Sequence, residues 1–282
     1  MGLRDGTMRR AAIMVCILLA TCKPPPLRDR NGDGIVSVAI TGASNTVGRL
    51  AWLAADPPQP VPPAWDFPSV AERLTEELTA AGVIVQWWVP PEGGFSGFAP
   101  SDTSTLQGGT ALTARGAATF QPGKYAGVKI TYALNHADPP LDAILIGSGL
   151  EIEGVALQDG TITIDEIDAE LTGYALAADA AGYDLYILTS TQMEDCDCEA
   201  PAPRCTCCQN GGATCILFGS FAAAAEKNVA IQAVNDRIRA RPIRVIDVGF
   251  PLPYDPTWID MVHHGSAAVE AKVQAVLATL LP

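Results

Sequence analysis

Positive charge is scarce in this chain. Eighteen Lys and Arg stand against 31 Asp and Glu, for a formal net charge of −13. A phosphate backbone needs a basic stripe to displace its counterions, so nucleic acid is excluded as a partner. Long apolar runs are also missing. The longest run near the start, 11–20, is about ten residues, half of the roughly 20 that a membrane-crossing helix requires. Histidine is rarer still, with His136, His263 and His264 the only three, so imidazole chemistry has few bearers. No internal repeat is visible. Against these absences, 48% apolar and 17% charged residues exclude disorder. A chain of 282 residues can bury about three quarters of its unfolded surface in a core.

The first 22 residues carry Arg4, Arg9 and Arg10, then the apolar run, then Thr21 and Cys22. That layout predicts a secretory signal peptide and an exported protein, secreted or held at the bacterial cell envelope. Leu19-Ala20-Thr21-Cys22 resembles a lipobox, which would make Cys22 a lipidated first residue and the lipid the only link to a membrane. Of the eight cysteines, Cys196, Cys198, Cys205, Cys207, Cys208 and Cys215 crowd into 196–215 among Pro, Gly, Asn and Asp. In an oxidising compartment they predict local disulfides, and the absence of paired C-x-x-C knuckles argues against a thiolate metal site. Six cysteines leave fifteen pairings open.

Residues 23–34 read as a polar tether. Within it Asp29, Asn31, Asp33 and Gly34 follow the opening of a calcium loop, yet Ile40 stands where the bidentate Glu would be. From residue 35 onward the pattern is that of a single domain. β-Branched or apolar runs at 35–41, 83–89, 143–146, 185–188 and 243–248 predict strands. Helical periodicity marks 47–54, 69–81, 164–181, 221–239 and 267–281, while 90–127 is a long Gly, Ser, Thr and Pro stretch. The alternation predicts an α/β three-layer fold on a mostly parallel five-stranded sheet, with the site at the carboxyl ends of the strands.

Two segments carry chemistry. Gly42-Ala43-Ser44-Asn45-Thr46 follows the first strand, and Asp260-Met261-Val262-His263 precedes the last helix. A serine on a strand-to-helix turn is exposed beside backbone N–H groups suited to an oxyanion. His263 would take its proton, and Asp260 would accept the other imidazole N–H and fix the tautomer. His264 is the neighbouring candidate, expected to be solvated, and His136 reads as a loop residue. Glu151, Glu153, Asp165, Glu166 and Asp168 read as a solvated or capping face.

In these segments the chain resembles the SGNH, or GDSL-type, serine hydrolases. Gly42 to Thr46 looks like the first block with Ser44 as nucleophile, Gly94-Phe95-Ser96-Gly97 like the second, and Asp260-x-x-His263 like the last. The resemblance implies an SGNH-hydrolase, flavodoxin-like fold and an ester hydrolase (esterase, lipase or carbohydrate-ester deacylase) with a Ser44-His263-Asp260 triad. It implies backbone donors at Ser44 and Gly97 to the oxyanion, no cofactor and no metal. Its substrate would be a small-molecule, glycan or lipid ester. Gly149, in Leu145-Ile146-Gly147-Ser148-Gly149-Leu150, occupies the position of the third-block asparagine, the family's other oxyanion donor, and Ala43 replaces its usual aspartate. A chain lacking that asparagine could instead keep the fold as a non-catalytic surface lipoprotein that binds a glycan or a partner. Thr41 to Gly48 also looks like the nucleotide turn of short-chain dehydrogenases, but Thr46 fills the middle glycine position and no Tyr-x-x-x-Lys follows.

Overall fold

The computed structural model describes residues 26–41, 46, 48–49, 60–61, 63–87, 140–146, 157–158, 160, 163–193, 223–241, 243–249, 252, 259 and 263–282. Five strands run through them: β1 (Ser37–Thr41), β2 (Ile84–Trp87), β3 (Ala143–Ile146), β4 (Asp184–Leu188) and β5 (Arg244–Ile246). Four α-helices accompany them: α1 (Val70–Ala80), α2 (Ile164–Ala181), α3 (Ala223–Arg239) and α4 (Ser266–Leu280), with a 3-10 turn at Pro63–Trp65 before α1.

All pairings are parallel, in the order β2-β1-β3-β4-β5. Val38 is opposite both Val85 and Ala143, and Ile144 opposite Leu185. Because side chains alternate along a strand, each strand feeds two faces. On one face Ala39, Ile144, Ile146, Leu185 and Ile187 meet Ile167 and Leu171 of α2 and Val234 and Ile238 of α3. On the other, Val38, Ile40, Leu145, Tyr186 and Ile246 meet Leu74 and Leu78 of α1 and Val273 and Val276 of α4. The α/β three-layer fold expected from the sequence is the one observed. Its strand order places β1 between β2 and β3, so the chain leaves β1 on one side and returns on the other. In open α/β sheets the carboxyl ends at such a switch are where binding sites usually form.

The helix ends show why the sequence patterns are legible. Ser69 accepts from the Glu72 amide while Glu72 accepts from the Ser69 amide, and Thr163 and Glu166 form the same reciprocal box on α2. Gly182 closes α2 in the left-handed region, at φ 79°. Strand boundaries are shorter than the apolar runs. The Ser37 amide donates to Asp142 Oδ2 (2.8 Å) and the Val248 amide to Thr189 Oγ1 (3.1 Å), so side chains replace strand partners at those ends.

The segment expected as a tether is docked where the structure describes it. Asp142 Oδ1 accepts from the Arg30 (2.6 Å) and Asn31 (3.2 Å) amides, and Arg30 pairs with Asp184 at the start of β4. Asp29 accepts from the Gly32 (2.6 Å) and Gly34 (2.8 Å) amides, so the calcium-like sequence closes on itself as a turn. No helix among the described residues is long and apolar enough to cross a membrane. The expected signal peptide, Cys22, the 47–54 helix apart from residues 48 and 49, the 90–127 stretch and the 196–215 cysteine loop lie outside them.

Candidate functional site at the carboxyl edge

The carboxyl edge is held by side-chain amides. Beyond β4 the chain continues as 189–193, where the Thr189 amide still donates to the Ile246 carbonyl of β5 (2.9 Å) and every residue is buried. Asn235 accepts from the Ser190 amide (2.7 Å) and donates to the Ser190 carbonyl (2.9 Å). Asn228 does the same for Met193 (2.7 and 2.9 Å). Gln192 in turn reaches the Leu252 carbonyl (2.7 Å) and amide (2.8 Å). Each carboxamide imitates a missing strand, supplying one donor and one acceptor to one residue. Sequence reading missed these residues. The available signal was Asn228 and Asn235, seven apart on the apolar face of α3 that also carries Ile231 and Val234.

Both candidate imidazoles lie at this edge, just before the Gly265 N-cap of α4. His263 is buried, its ring centroid 4.7 Å from that of Trp65 at an interplanar angle of 60°. Its carbonyl accepts from the Ile259 amide at 2.9 Å, which ties the residue before Asp260 to His263. His264 was expected to be solvated, and this is corrected: only 4% of it is exposed. Its Nε2 meets Thr191 Oγ1 at 2.8 Å. Burial, reinforced by the nearby Lys272 and His263 charges and opposed by a Gln192 backbone contact, holds its pKa well below the usual imidazole value. His264 is thus a neutral imidazole locked in the core wall.

Asp247, at the end of β5, is a surface anchor. It accepts from Arg239 Nε (2.9 Å), Thr189 Oγ1 (3.2 Å) and the Gly249 amide (3.1 Å). Burial pushes its pKa up, but the Arg239 bond and charge with the other two donors outweigh that, so it sits below the carboxylate norm. Of the helix-face carboxylates, Glu166 is the α2 capping partner, and Asp168 pairs with Arg241 at 2.9 Å and Arg237 at 3.5 Å. Among the described residues no group of three or more His, Cys, Asp or Glu side chains is placed to hold a metal ion. Ser44, Asp260, Gly97 and Gly149 lie outside the described residues, as does His136. Thr46 and Gly48 of the first motif are described, with Thr46 fully buried. A Cβ on Gly48, at φ 49°, would stand 2.7 Å from Ser69 Cβ, so the motif passes too close to the α1 cap for any side chain there.

No protein-family model and no curated protein matches the chain. Solved structures do match, two of them as follows. One is described as "a putative arylesterase" from Agrobacterium tumefaciens str. C58, at 17% identity and a TM-score of 0.46, with 86% of this chain and 97% of that one covered. The other is described as "a putative acylhydrolase" from Bacteroides fragilis NCTC 9343, at 13% identity and a TM-score of 0.42, with 95% of each chain covered.

Proposed function

We propose that this protein is an exported serine ester hydrolase. Ser44 attacks the ester carbonyl, and His263 takes the hydroxyl proton and returns it to the leaving alcohol. Asp260 holds the imidazole tautomer. Backbone N–H groups of Ser44, Gly97 and Gly149 face the oxyanion. Water then repeats the sequence on the acyl-serine, with His263 again the base, and a carboxylic acid leaves. No step needs a cofactor. The observation that carries the reading is His263: buried at the carboxyl edge, packed on Trp65 and set before α4, on a sheet whose order puts the switch at β1 and β3. Ser44 follows the last residue of β1 by three positions, a reach of about 11 Å at most. Engagement of the His264 Nε2 with Thr191 in the core supports His263 over His264 as the base.

Glycine in place of the third-block asparagine removes one side-chain donor, which typically slows acyl transfer by roughly a hundred- to a thousandfold. A slow hydrolase is therefore the expectation, acting on a lipid, glycan or small aryl ester at the envelope with Cys22 as its lipid anchor. Short-chain aryl ester turnover tests it. Measurable hydrolysis lost in both Ser44→Ala and His263→Ala supports the triad. No turnover by folded protein favours the non-catalytic lipoprotein, the reading that the Gly149 replacement motivates.

A further inference from the structure

The residues between β5 and α4 include Asp260 and His263, and they are fastened sideways to the chain beyond β4. Gln192 binds the amide and the carbonyl of Leu252 near the start of this connection (2.8 and 2.7 Å), and Thr191 Oγ1 meets His264 Nε2 near its end (2.8 Å). Both anchors are themselves held: β4 is buried along its whole length, and Asn235 and Asn228 bond the Ser190 and Met193 backbones on either side. The helix that follows offers less. Its N-cap is Gly265, which makes no side-chain bond to the helix start, and glycine restrains the backbone least. Within the connection the Ile259 amide closes on the His263 carbonyl (2.9 Å), so a shift of residue 264 is passed to both His263 and Ile259. Thr191 suits the post chemically. A hydroxyl both donates and accepts, so it bonds a neutral imidazole in either tautomer, and burial keeps the His264 ring neutral near pH 7.

We infer that Thr191 is a positioning residue for the reaction: it fixes His264, and with it the backbone that presents the adjacent His263 to Ser44. The inference rests on the triad proposed above and adds to it a residue from the extension of β4, which acts through His264 and not on the substrate. Misplacing a reacting group by about 1 Å costs on the order of a hundredfold in rate. Loosening one anchor while Gln192 keeps the other should cost part of that.

Variants of the full chain test it, each assayed well below its Tm. Thr191→Val replaces the hydroxyl by a methyl at nearly constant volume, Thr191→Ser restores the hydroxyl, and Asp142→Asn weakens the backbone ties at the opposite edge of the sheet. If Thr191→Val does not fold, Thr191→Ala takes its place. The readouts are the rate of fluorophosphonate labelling, aryl ester kcat and KM, and amide exchange at Ile259 by NMR. Thr191→Val is expected to lower kcat and the labelling rate roughly five- to fiftyfold with KM within about twofold, and to speed exchange at Ile259. Thr191→Ser should stay within about threefold of the native rates, and Asp142→Asn should lose Tm but not rate. Label on native protein with an unchanged rate or unchanged Ile259 exchange in Thr191→Val overturns the inference alone. So does a Thr191→Ser as slow as Thr191→Val, or an Asp142→Asn slowed as much. Absence of label on folded native protein overturns the triad reading, and the inference with it.

Discussion

His263 and His264 are adjacent in sequence and serve different ends. Near neutral pH His264 is the neutral imidazole of the core wall, its Nε2 against Thr191 Oγ1 and its charged form opposed by burial and by the Lys272 charge. Its pKa is depressed in the folded chain, whereas the unfolded chain takes up the proton near pH 6.5. Unfolding therefore binds more protons below that value. The contribution to stability is intact above about pH 6.5 and is lost as pH falls below it, by up to about 1.4 kcal/mol per pH unit. Chemical denaturation between pH 7.5 and 5 should show this slope in the native protein, and His264→Gln should flatten it. An unchanged slope in the variant would mean that His264 titrates freely. Trp65 acts on the other imidazole. At 4.7 Å its ring is close enough to stabilise an imidazolium, an interaction of about 0.5–2 kcal/mol. Trp65→Ala should lower kcat roughly two- to thirtyfold with little change in KM, while Trp65→Phe retains most of the rate; ester hydrolysis kinetics separate the two.

Among the elements, those legible in the sequence were the ones whose burial follows a simple period. β3 and β4 are buried along their whole length and read as continuous apolar runs, and the helical periods at 69–81 and 164–181 begin at the capping boxes of α1 and α2. What escaped was the stretch 189–193, where polar residues are buried because carboxamides from α3 satisfy its backbone. Periodicity records which positions avoid water, and it says nothing of which polar side chains replace a strand. Asn235→Ala should expose this. It removes the two hydrogen bonds that Asn235 makes to the buried Ser190 backbone, at about 1–3 kcal/mol each, and a lowered denaturant midpoint with an unchanged m-value would report it. The Gly48 crossing is a second such point. Gly48→Ala combines a left-handed backbone with a contact at 2.7 Å, so a loss of about 1–3 kcal/mol is expected. Restoration by no second-site change at Ser69 smaller than Ser69→Gly would match the geometry, since the contact is to Ser69 Cβ.

Across the molecule, the two edges of the sheet are built differently. The amino-terminal edge is tied by charge, with Asp142 and Asp184 gathering Arg30, Arg244 and the backbone of 30–37. The carboxyl edge is tied by the Asn228, Asn235 and Gln192 carboxamides, with the Arg239–Asp247 pair at its surface. The five-stranded α/β architecture followed from the alternation of apolar runs and helical periods, while the choice of His263 as base rests on the rarity of histidine and its spacing from Asp260, which lies outside the described residues. The burial of His264 did not follow, because nothing in a His-His pair says that both rings are buried. The central claim is that His263 activates Ser44. Mass-spectrometric labelling of the purified protein with a fluorophosphonate tests it most directly. The account predicts one adduct, on Ser44, absent from Ser44→Ala and from His263→Ala but present in Trp65→Phe. Folded protein that takes no adduct, or takes one on a different serine, would contradict it.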